Sequence, residues 1–150
     1  MGIIIRIHDT AIPLLKEINK EKLNKLSQGI KEVGFMVQGE IKDSISGGGG
    51  EPPSVDTGRY MQSIEVDFPD PFSTIIYTRV EYAEFLEFGT SPHFIAPVNK
   101  KALRWINKLT REVFFSKGHM VAGIQPRLHF TNSIERMKPK IVEHLTNKIK

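Results

Sequence analysis

A run of glycine and proline near residue 50 divides the chain and constrains what can form on either side of it. Residues 47–50 are four consecutive glycines, and two prolines follow at positions 52 and 53. Such a sequence cannot carry regular structure, so we expect residues 46–56 to form a flexible arm. A phosphate-binding loop is not expected, because it needs a lysine and a hydroxyl residue after its glycines, where Glu51 stands.

The sequence before this arm predicts a strand and then a long helix. Isoleucine alternates along residues 2–9, which predicts a short strand that pairs at the edge of a sheet. Asp9 or Thr10 can cap the following helix, and Pro13 suits its first turn. Apolar residues then recur at helical spacing, at Leu15, Ile18, Leu26, Ile30, Val33, Val37 and Ile41.

Three glycines, Gly29, Gly34 and Gly39, interrupt this predicted helix. Each costs about 1 kcal/mol relative to alanine in a helix interior. We therefore expect close backbone packing or a bend at these positions.

The sequence after the arm predicts a hairpin that leads into a recognition loop. Alternating apolar residues predict strands over residues 64–68 and 74–80, with a turn at residues 69–71. In residues 82–97, aromatic side chains predict a buried anchor, and two prolines hold the second half extended. We expect a rigid, exposed loop suited to recognition.

The C-terminal third predicts two helices and a strand. A helix capped by Asn99 would run to Leu109, a strand would cover residues 112–116, and residues 118–126 would be a loop. The first helix would bury Ala102, Leu103 and Ile106, with Trp105 alongside.

The last helix, over residues 128–149, should be kinked or divided by Pro139. Its apolar face is Phe130, Ile134, Met137, Ile141, Leu145 and Ile149. The elements together predict an α+β fold, in which a small antiparallel sheet packs against the long N-terminal helix and the C-terminal helix. Residues 1–150 are expected to form one domain.

Composition narrows the function classes. The chain has no cysteine, which excludes disulfides, thiol nucleophiles and thiolate metal sites. No apolar run approaches membrane-spanning length and no signal peptide is apparent, so we expect a protein made and used on the cytosolic side without a membrane partner.

Charge is distributed unevenly. Residues 51–100 carry 3 basic and 8 acidic side chains, whereas residues 101–150 carry 11 basic and 3 acidic ones. Copies of such a chain can meet head to tail, a contact that closes into rings when the rotation allows. Two solvated faces of a monomer are the alternative interpretation.

Several motifs occur in a characteristic order. They are Asp56-Thr57-Gly58-Arg59 with Ser63-Ile64, Tyr82-Ala83 with Glu87-Phe88-Gly89-Thr90 and Pro92-His93, Pro97 before Lys101-Ala102-Leu103, and Gly118-His119 with Pro126-Arg127. Over residues 56–135 this set resembles the neck and tail-completion morphogenesis proteins of long-tailed bacteriophages and prophages.

The resemblance implies a small α+β structural protein without catalysis or cofactor. It would form a homo-oligomeric ring at the head–tail junction of the virion, between head-completion or connector proteins and tail tube or tail terminator proteins, and would assemble in the bacterial cytoplasm. Viral DNA would pass through the ring without sequence-specific binding.

The resemblance and the residue chemistry together give a set of candidate interface residues. Arg127 at a helix start is unfavourable for the helix dipole, so we expect an acidic partner, with Glu87 of the same or a neighbouring copy as the candidate. Gly58, Gly89 and Pro92 are expected to set the shape of the loops. The full set is Thr57, Gly58, Arg59, Glu84, Glu87, Gly89, Thr90, Pro92, His93, His119 and Arg127.

Two other function classes stay open. His93, His119 and His129, with nearby glutamates, could form the zinc site of a small metal-dependent hydrolase, although their spacing matches no ligand motif. A basic surface of Arg136, Lys138, Lys140, Lys148 and Lys150 could bind nucleic acid, although no base-reading motif accompanies it.

Overall fold

A computed structural model describes residues 3–8, 20–107 and 109–150. The predicted α+β fold is confirmed, with long helices near both ends of the described chain and small antiparallel sheets between them. The elements are β1 (Ile4–His8), α1 (Lys20–Ser46), α2 (Arg59–Gln62), β2 (Glu65–Asp70), β3 (Ser73–Tyr77), α3 (Ala83–Phe88), β4 (His93–Ile95), β5 (Leu103–Ile106), β6 (Val113–Ser116), β7 (His119–Val121) and α4 (His129–Ile149).

The core lies where α1 packs against α4 and the three-stranded sheet. Phe130 and Met137 of α4 are buried in it, with Ile134, Ile141 and Leu145 half-buried beside them. The predicted start of the first helix and its residues Leu15 and Ile18 lie outside the described residues. Among the described residues, every apolar position predicted for α1 is buried, namely Leu26, Ile30, Val33, Val37 and Ile41.

The three-stranded sheet has the order β1-β3-β2, with antiparallel pairing throughout. The predicted edge position of the first strand and the predicted β2–β3 hairpin are therefore confirmed, although the turn lies at residues 71–72 and not at 69–71, because β2 continues to Asp70. Thr74 of β3 is buried against α1 and donates a hydrogen bond to the carbonyl of Ile30, with a distance of 3.1 Å. Ile76 fills the neighbouring core position.

Two of the three α1 glycines allow close packing. A Cβ atom on Gly34 would lie 2.7 Å from Cγ2 of Thr74, and one on Gly29 would lie 3.1 Å from Cδ2 of Leu145. The first contact is with the sheet and the second is with α4. A Cβ atom on Gly39 would meet nothing within 4 Å, so packing does not explain that glycine.

Gly34→Ala should destabilise the protein by about 1–3 kcal/mol, because the added methyl group overfills the contact between α1 and β3. Gly39→Ala is the matched control in the same helix, and it should stabilise by about 0.5–1 kcal/mol through helix propensity. Urea unfolding monitored by circular dichroism measures both. Equal effects of the two substitutions would contradict the packing explanation.

The predicted helix over residues 99–109 is wrong. Leu103–Ile106 instead forms β5, which pairs with β6 over Val113–Ser116, and Trp105 stacks on Phe114 with 5.6 Å between ring centroids. The side chain of Asn107 begins the connecting turn by accepting hydrogen bonds from the amides of Leu109 and Thr110. This local turn chemistry ends the element at a point where apolar spacing alone would allow a helix to continue.

Two further predictions need correction. Residues 118–126 are not wholly loop, because His119–Val121 forms β7, which pairs with β4. Pro139 does not divide α4, which is continuous from His129 to Ile149, and a kink at Pro139 stays a prediction. Pro139 and Glu135, whose carbonyl loses its usual helical partner, are both exposed, so water can take the place of the missing amide.

Residues 47–56 contain no helix or strand, as predicted, whereas Ser46 still belongs to α1, and both ends of the glycine-rich stretch, residues 47–54, are held by hydrogen bonds. The amides of Gly47 and Gly48 donate to carbonyls of the last turn of α1, and the amide of Ser54 donates to the carbonyl of Ile45 at 2.8 Å. The mobility of residues 46–56 and the single-domain organisation of residues 1–150 stay predictions.

Candidate functional site

The site is organised by two segments that run side by side, the end of α3 and the approach to α4. The amides of Arg127 and Leu128 donate to the carbonyls of Leu86 and Glu87, at 2.8 and 3.2 Å. Thr90 and Ile124 exchange backbone hydrogen bonds of 2.8 and 3.2 Å. The two motif regions of the sequence, around residues 87–90 and 126–127, therefore meet in space.

Glu87 supplies the N-terminal cap of α4 from another helix. The residue before α4, Leu128, has a left-handed backbone and no capping side chain. The carboxylate of Glu87 accepts hydrogen bonds from the amides of Phe130 and Thr131 at 3.0 and 2.9 Å, and from the Thr131 hydroxyl at 2.8 Å. Glu87 thereby satisfies donors that a helix start leaves unpaired, and it stabilises the positive end of the helix dipole.

The expected ion pair between Arg127 and Glu87 is not formed within the chain. Glu87 is only 1% exposed, so its carboxylate also cannot reach a neighbouring copy without unfolding the cap. The physical reason is that the backbone amides at the start of α4 lie in fixed positions around the carboxylate. They therefore bind it in preference to the Arg127 side chain. The assignment of the other candidate residues to an interface stays a prediction.

Glu87→Gln should destabilise the protein by about 1–3 kcal/mol, because the amide group lacks the charge and keeps only one acceptor oxygen. Thermal unfolding followed by circular dichroism measures the loss. Glu84→Gln, on the exposed side of the same helix, is the control and should change stability by less than about 0.5 kcal/mol. A loss of similar size in both variants would show that the cap is not the cause.

Glycine is required where the two segments touch. Gly89 has φ 74°, and a Cβ atom there would lie 2.5 Å from the carbonyl oxygen of Ile124. Gly58, before α2, has φ 78°. Both positions fit the prediction that these glycines set the shape of the loops.

A groove of about 500 Å³ collects four of the candidate residues, Thr57, Gly58, Arg59 and Arg127. Leu86 of α3 and Tyr82, the residue before this helix, form its other wall. The hydroxyl of Tyr60 and Nε of Arg127 are buried in this wall, and neither has a hydrogen-bond partner in the described part of the chain. Burial beside Glu87 and Tyr82 raises the pKa of Tyr60, so its hydroxyl keeps its proton. Among the described residues, the Tyr60 hydroxyl and Nε of Arg127 are therefore hydrogen-bond donors without an acceptor.

The remaining candidate residues do not line this groove. Thr90 and His93 line a second, largely apolar groove of about 540 Å³ together with Phe85 and Ile124. Glu84 and Pro92 are exposed. His119 lies on β7, with its ring 5.1 Å from that of Trp105.

The expectation that buried aromatics anchor this loop is wrong. Phe85 and Phe88 of α3 are 52% and 63% exposed, and Phe94 of β4 is 62% exposed. Glu87 occupies the interior in their place, because the start of α4 needs an acceptor there. Exposed apolar side chains continue onto the other small sheets, at Trp105, Ile106, Val113, Phe114, Phe115 and Met120.

The three histidines of the metal hypothesis have separate environments. His93 is exposed and its Nδ1 lies 2.9 Å from the carbonyl oxygen of Ser91, while His119 packs on Trp105. His129 is fully buried. Within the described residues, no three side chains of the metal-ligating types come together.

His129 instead joins a polar network beneath the glycine-rich stretch. The Ser44 hydroxyl donates to Glu51 at 2.7 Å, so it accepts from Nδ1 of His129, which lies 2.9 Å away. Nε2 of His129 then carries no proton and accepts from the Ser54 hydroxyl at 2.7 Å. Burial lowers the pKa of His129, which keeps the ring neutral, and both ring nitrogens are occupied by the fold.

Glu51 and Arg136 anchor the same network. Arg136 donates to Glu51 at 2.6 Å and to Glu40 at 2.7 Å, which ties the glycine-rich stretch to both long helices. Burial alone would raise the pKa of Glu51, but the hydrogen bonds from Arg136 and Ser44 outweigh it and lower that pKa to about 2. Ionised Glu51 therefore stabilises the folded state above its unfolded-state pKa of about 4.5.

Acid should remove this contribution. As pH falls from about 4.5 to 2, the wild-type protein should lose about 3 kcal/mol through Glu51 alone, and Glu51→Gln should lack that part of the pH dependence. Urea unfolding at a series of pH values gives the difference between the two curves. Glu135→Gln, at an exposed position of α4, is the control and should follow the wild-type curve. Parallel curves for wild type and Glu51→Gln would contradict the role of Glu51.

Part of the predicted basic surface is neutralised within the fold. Arg136 is paired with Glu40 and Glu51, and Lys148 lies 2.8 Å from Glu32 of α1. These two cations hold α4 against α1. Their presence is therefore explained by the fold, without a role in binding nucleic acid.

The chain belongs to a family of phage tail components. Residues 10–89, slightly more than half of the sequence, match the HK97-gp10-like family, which is described as "Bacteriophage HK97-gp10, putative tail-component". The resemblance to phage neck and tail proteins is thus confirmed. Comparisons with curated proteins and with solved structures give no significant match. Among the described residues, no helix is long and apolar enough to cross a membrane.

Proposed function

We propose that this protein is a structural morphogenesis protein of the head–tail junction of a long-tailed phage or prophage. It acts as a neck or tail-completion component and forms a homo-oligomeric ring in the virion. The phage tail family supports a place in the particle. The ring and its position at the junction are our inference.

The exposed apolar surface carries this proposal. Large apolar side chains are exposed on α3 (Phe85, Phe88), on β4 (Phe94) and on β6 (Phe115). A protein that stays monomeric in water rarely keeps so many large apolar side chains exposed, whereas an assembly subunit buries them against its neighbours.

The buried ionisable groups also favour assembly over catalysis. Glu87, Glu51 and His129 are all used by hydrogen bonds that join elements of the fold. A catalytic acid or base needs at least one side open towards a substrate. We therefore propose that the protein acts through its surfaces and not as an enzyme.

The proposed partners follow from the position at the junction. One side of the ring would contact head-completion or connector proteins, and the other would contact tail tube or tail terminator proteins. Viral DNA would pass through the channel without sequence-specific binding, and assembly would take place in the bacterial cytoplasm. The internal pairing of Arg136 and Lys148 agrees with weak contact to the passing DNA.

Deleting the gene from the parent phage tests the proposal. Negative-stain electron microscopy of the lysate should show filled heads and finished tails that accumulate separately, because the joining surface is missing. The wild-type gene supplied from a plasmid is the control and should restore joined particles. Tails of abnormal length would place the protein at the tail terminus, and intact infectious particles would contradict a morphogenetic role.

A further inference from the structure

The β5–β6 hairpin presents an outward face without a partner in the described part of the chain. Cross-strand neighbours share a face, and the register pairs Arg104 with Phe115 and Ile106 with Val113. All four side chains are exposed, and Phe115 is 68% exposed. We call this group, Arg104, Ile106, Val113 and Phe115, the hairpin face.

The opposite face of the hairpin is partly covered, since Trp105 and Phe114 are 42% and 40% exposed. Trp105 and Phe114 stack on each other, and Trp105 also packs against His119 of β7. Among the described residues, these ring contacts lie on one face of the hairpin only. A two-stranded ribbon is marginally stable in water, so an apolar partner on its free side would stabilise it considerably.

A second unpartnered surface of matching chemistry lies on α3. Positions 81, 84, 85 and 88 follow helical spacing and share one side of this helix and its preceding turn. They hold Glu81, Glu84, Phe85 and Phe88, all exposed, and neither glutamate has an ion-pair partner among the described residues. We call these four residues the α3 stripe.

The two surfaces are complementary in both apolar character and charge. Residues 100–117 carry 6 basic side chains and 1 acidic one, whereas the α3 stripe carries the exposed acids Glu81 and Glu84 and no basic residue. Apolar contact would supply most of the affinity, and the opposite charges would set the orientation and exclude contacts between like surfaces.

We propose that the hairpin face of one copy of this chain docks on the α3 stripe of a second copy, with Arg104 next to Glu84. This deepens the proposed function and rests on it, since it names the contact between neighbouring subunits. The two surfaces are different parts of the chain, so the contact is head to tail. Such contacts repeat from copy to copy and close into a ring when the rotation between copies allows.

Cysteine crosslinking tests this contact directly, because the natural chain has no cysteine. Val113→Cys places a thiol on the hairpin face and Glu81→Cys places one at the end of the α3 stripe, and both leave the exposed phenylalanines in place. The double variant, treated with a short bismaleimide, should give a ladder of multiples of 17.0 kDa. Each single variant should give no ladder. The control pair, Val113→Cys with Val142→Cys on the exposed side of α4, should give none either.

The experiment is run on the purified chain at high concentration and on purified phage particles, with crosslinked peptides identified by mass spectrometry. Joined peptides from residues 113 and 81 in different copies would support the proposal. A ladder from the control pair, or no crosslink between copies in particles that contain the protein, would overturn it. Absence of the protein from particles, measured by immunoblot, would overturn the proposed function instead. Crosslinking of the purified chain would then be the test of the contact between copies.

Charge reversal distinguishes this contact from nonspecific association. Glu84→Arg should reduce the crosslinked fraction about tenfold, because it places like charges opposite each other. Adding Arg104→Glu should restore crosslinking, while adding Lys138→Glu, on α4, should not. Restoration by both second substitutions, or by neither, would overturn the assignment of Glu84 and Arg104 as neighbours.

Discussion

The architecture depends on one carboxylate that lies between two helices. Glu87 caps α4, and the backbone hydrogen bonds beside it align the end of α3 with the approach to α4. Helix α4 in turn completes the core by placing Phe130 and Met137 against α1. A single buried acid therefore determines where the C-terminal helix begins and how its apolar face meets the rest of the protein.

A second polar cluster performs a similar task beneath the glycine-rich stretch. Glu51, Arg136, Ser44 and His129 connect this stretch to α1 and α4 through direct hydrogen bonds. Each buried polar group has a partner there, so the cluster stabilises the fold instead of weakening it. The chain thus uses ionic and polar contacts to position segments whose sequences are too rich in glycine to pack by apolar contact.

The sequence predicts the parts of this fold that rest on long periodic patterns. The apolar faces of α1 and α4 and the β2–β3 hairpin are examples, because their spacing repeats over many residues. The β5–β6 hairpin escapes prediction, since Leu103 and Ile106 fit a helical spacing equally well and the turn at Asn107 decides between them. At the site, the sequence motifs identify residues that meet in the folded protein. They do not reveal that Glu87 is buried, because its burial depends on the start of α4, about 40 residues further along the chain. Tyr60 is missed for a similar reason, because only the folded structure buries its hydroxyl away from any acceptor among the described residues.

Helix α3 has one side that belongs to the interior and another that faces outward. Its buried side holds Glu87 at the start of α4, and its exposed side carries Phe85 and Phe88. A molecule that binds the exposed side restrains the same short helix that holds α4 in place. Binding and folding are then thermodynamically linked, so occupancy of this surface raises the resistance of the C-terminal helix to unfolding. Subunits inside a particle would be more stable than the same chains free in solution.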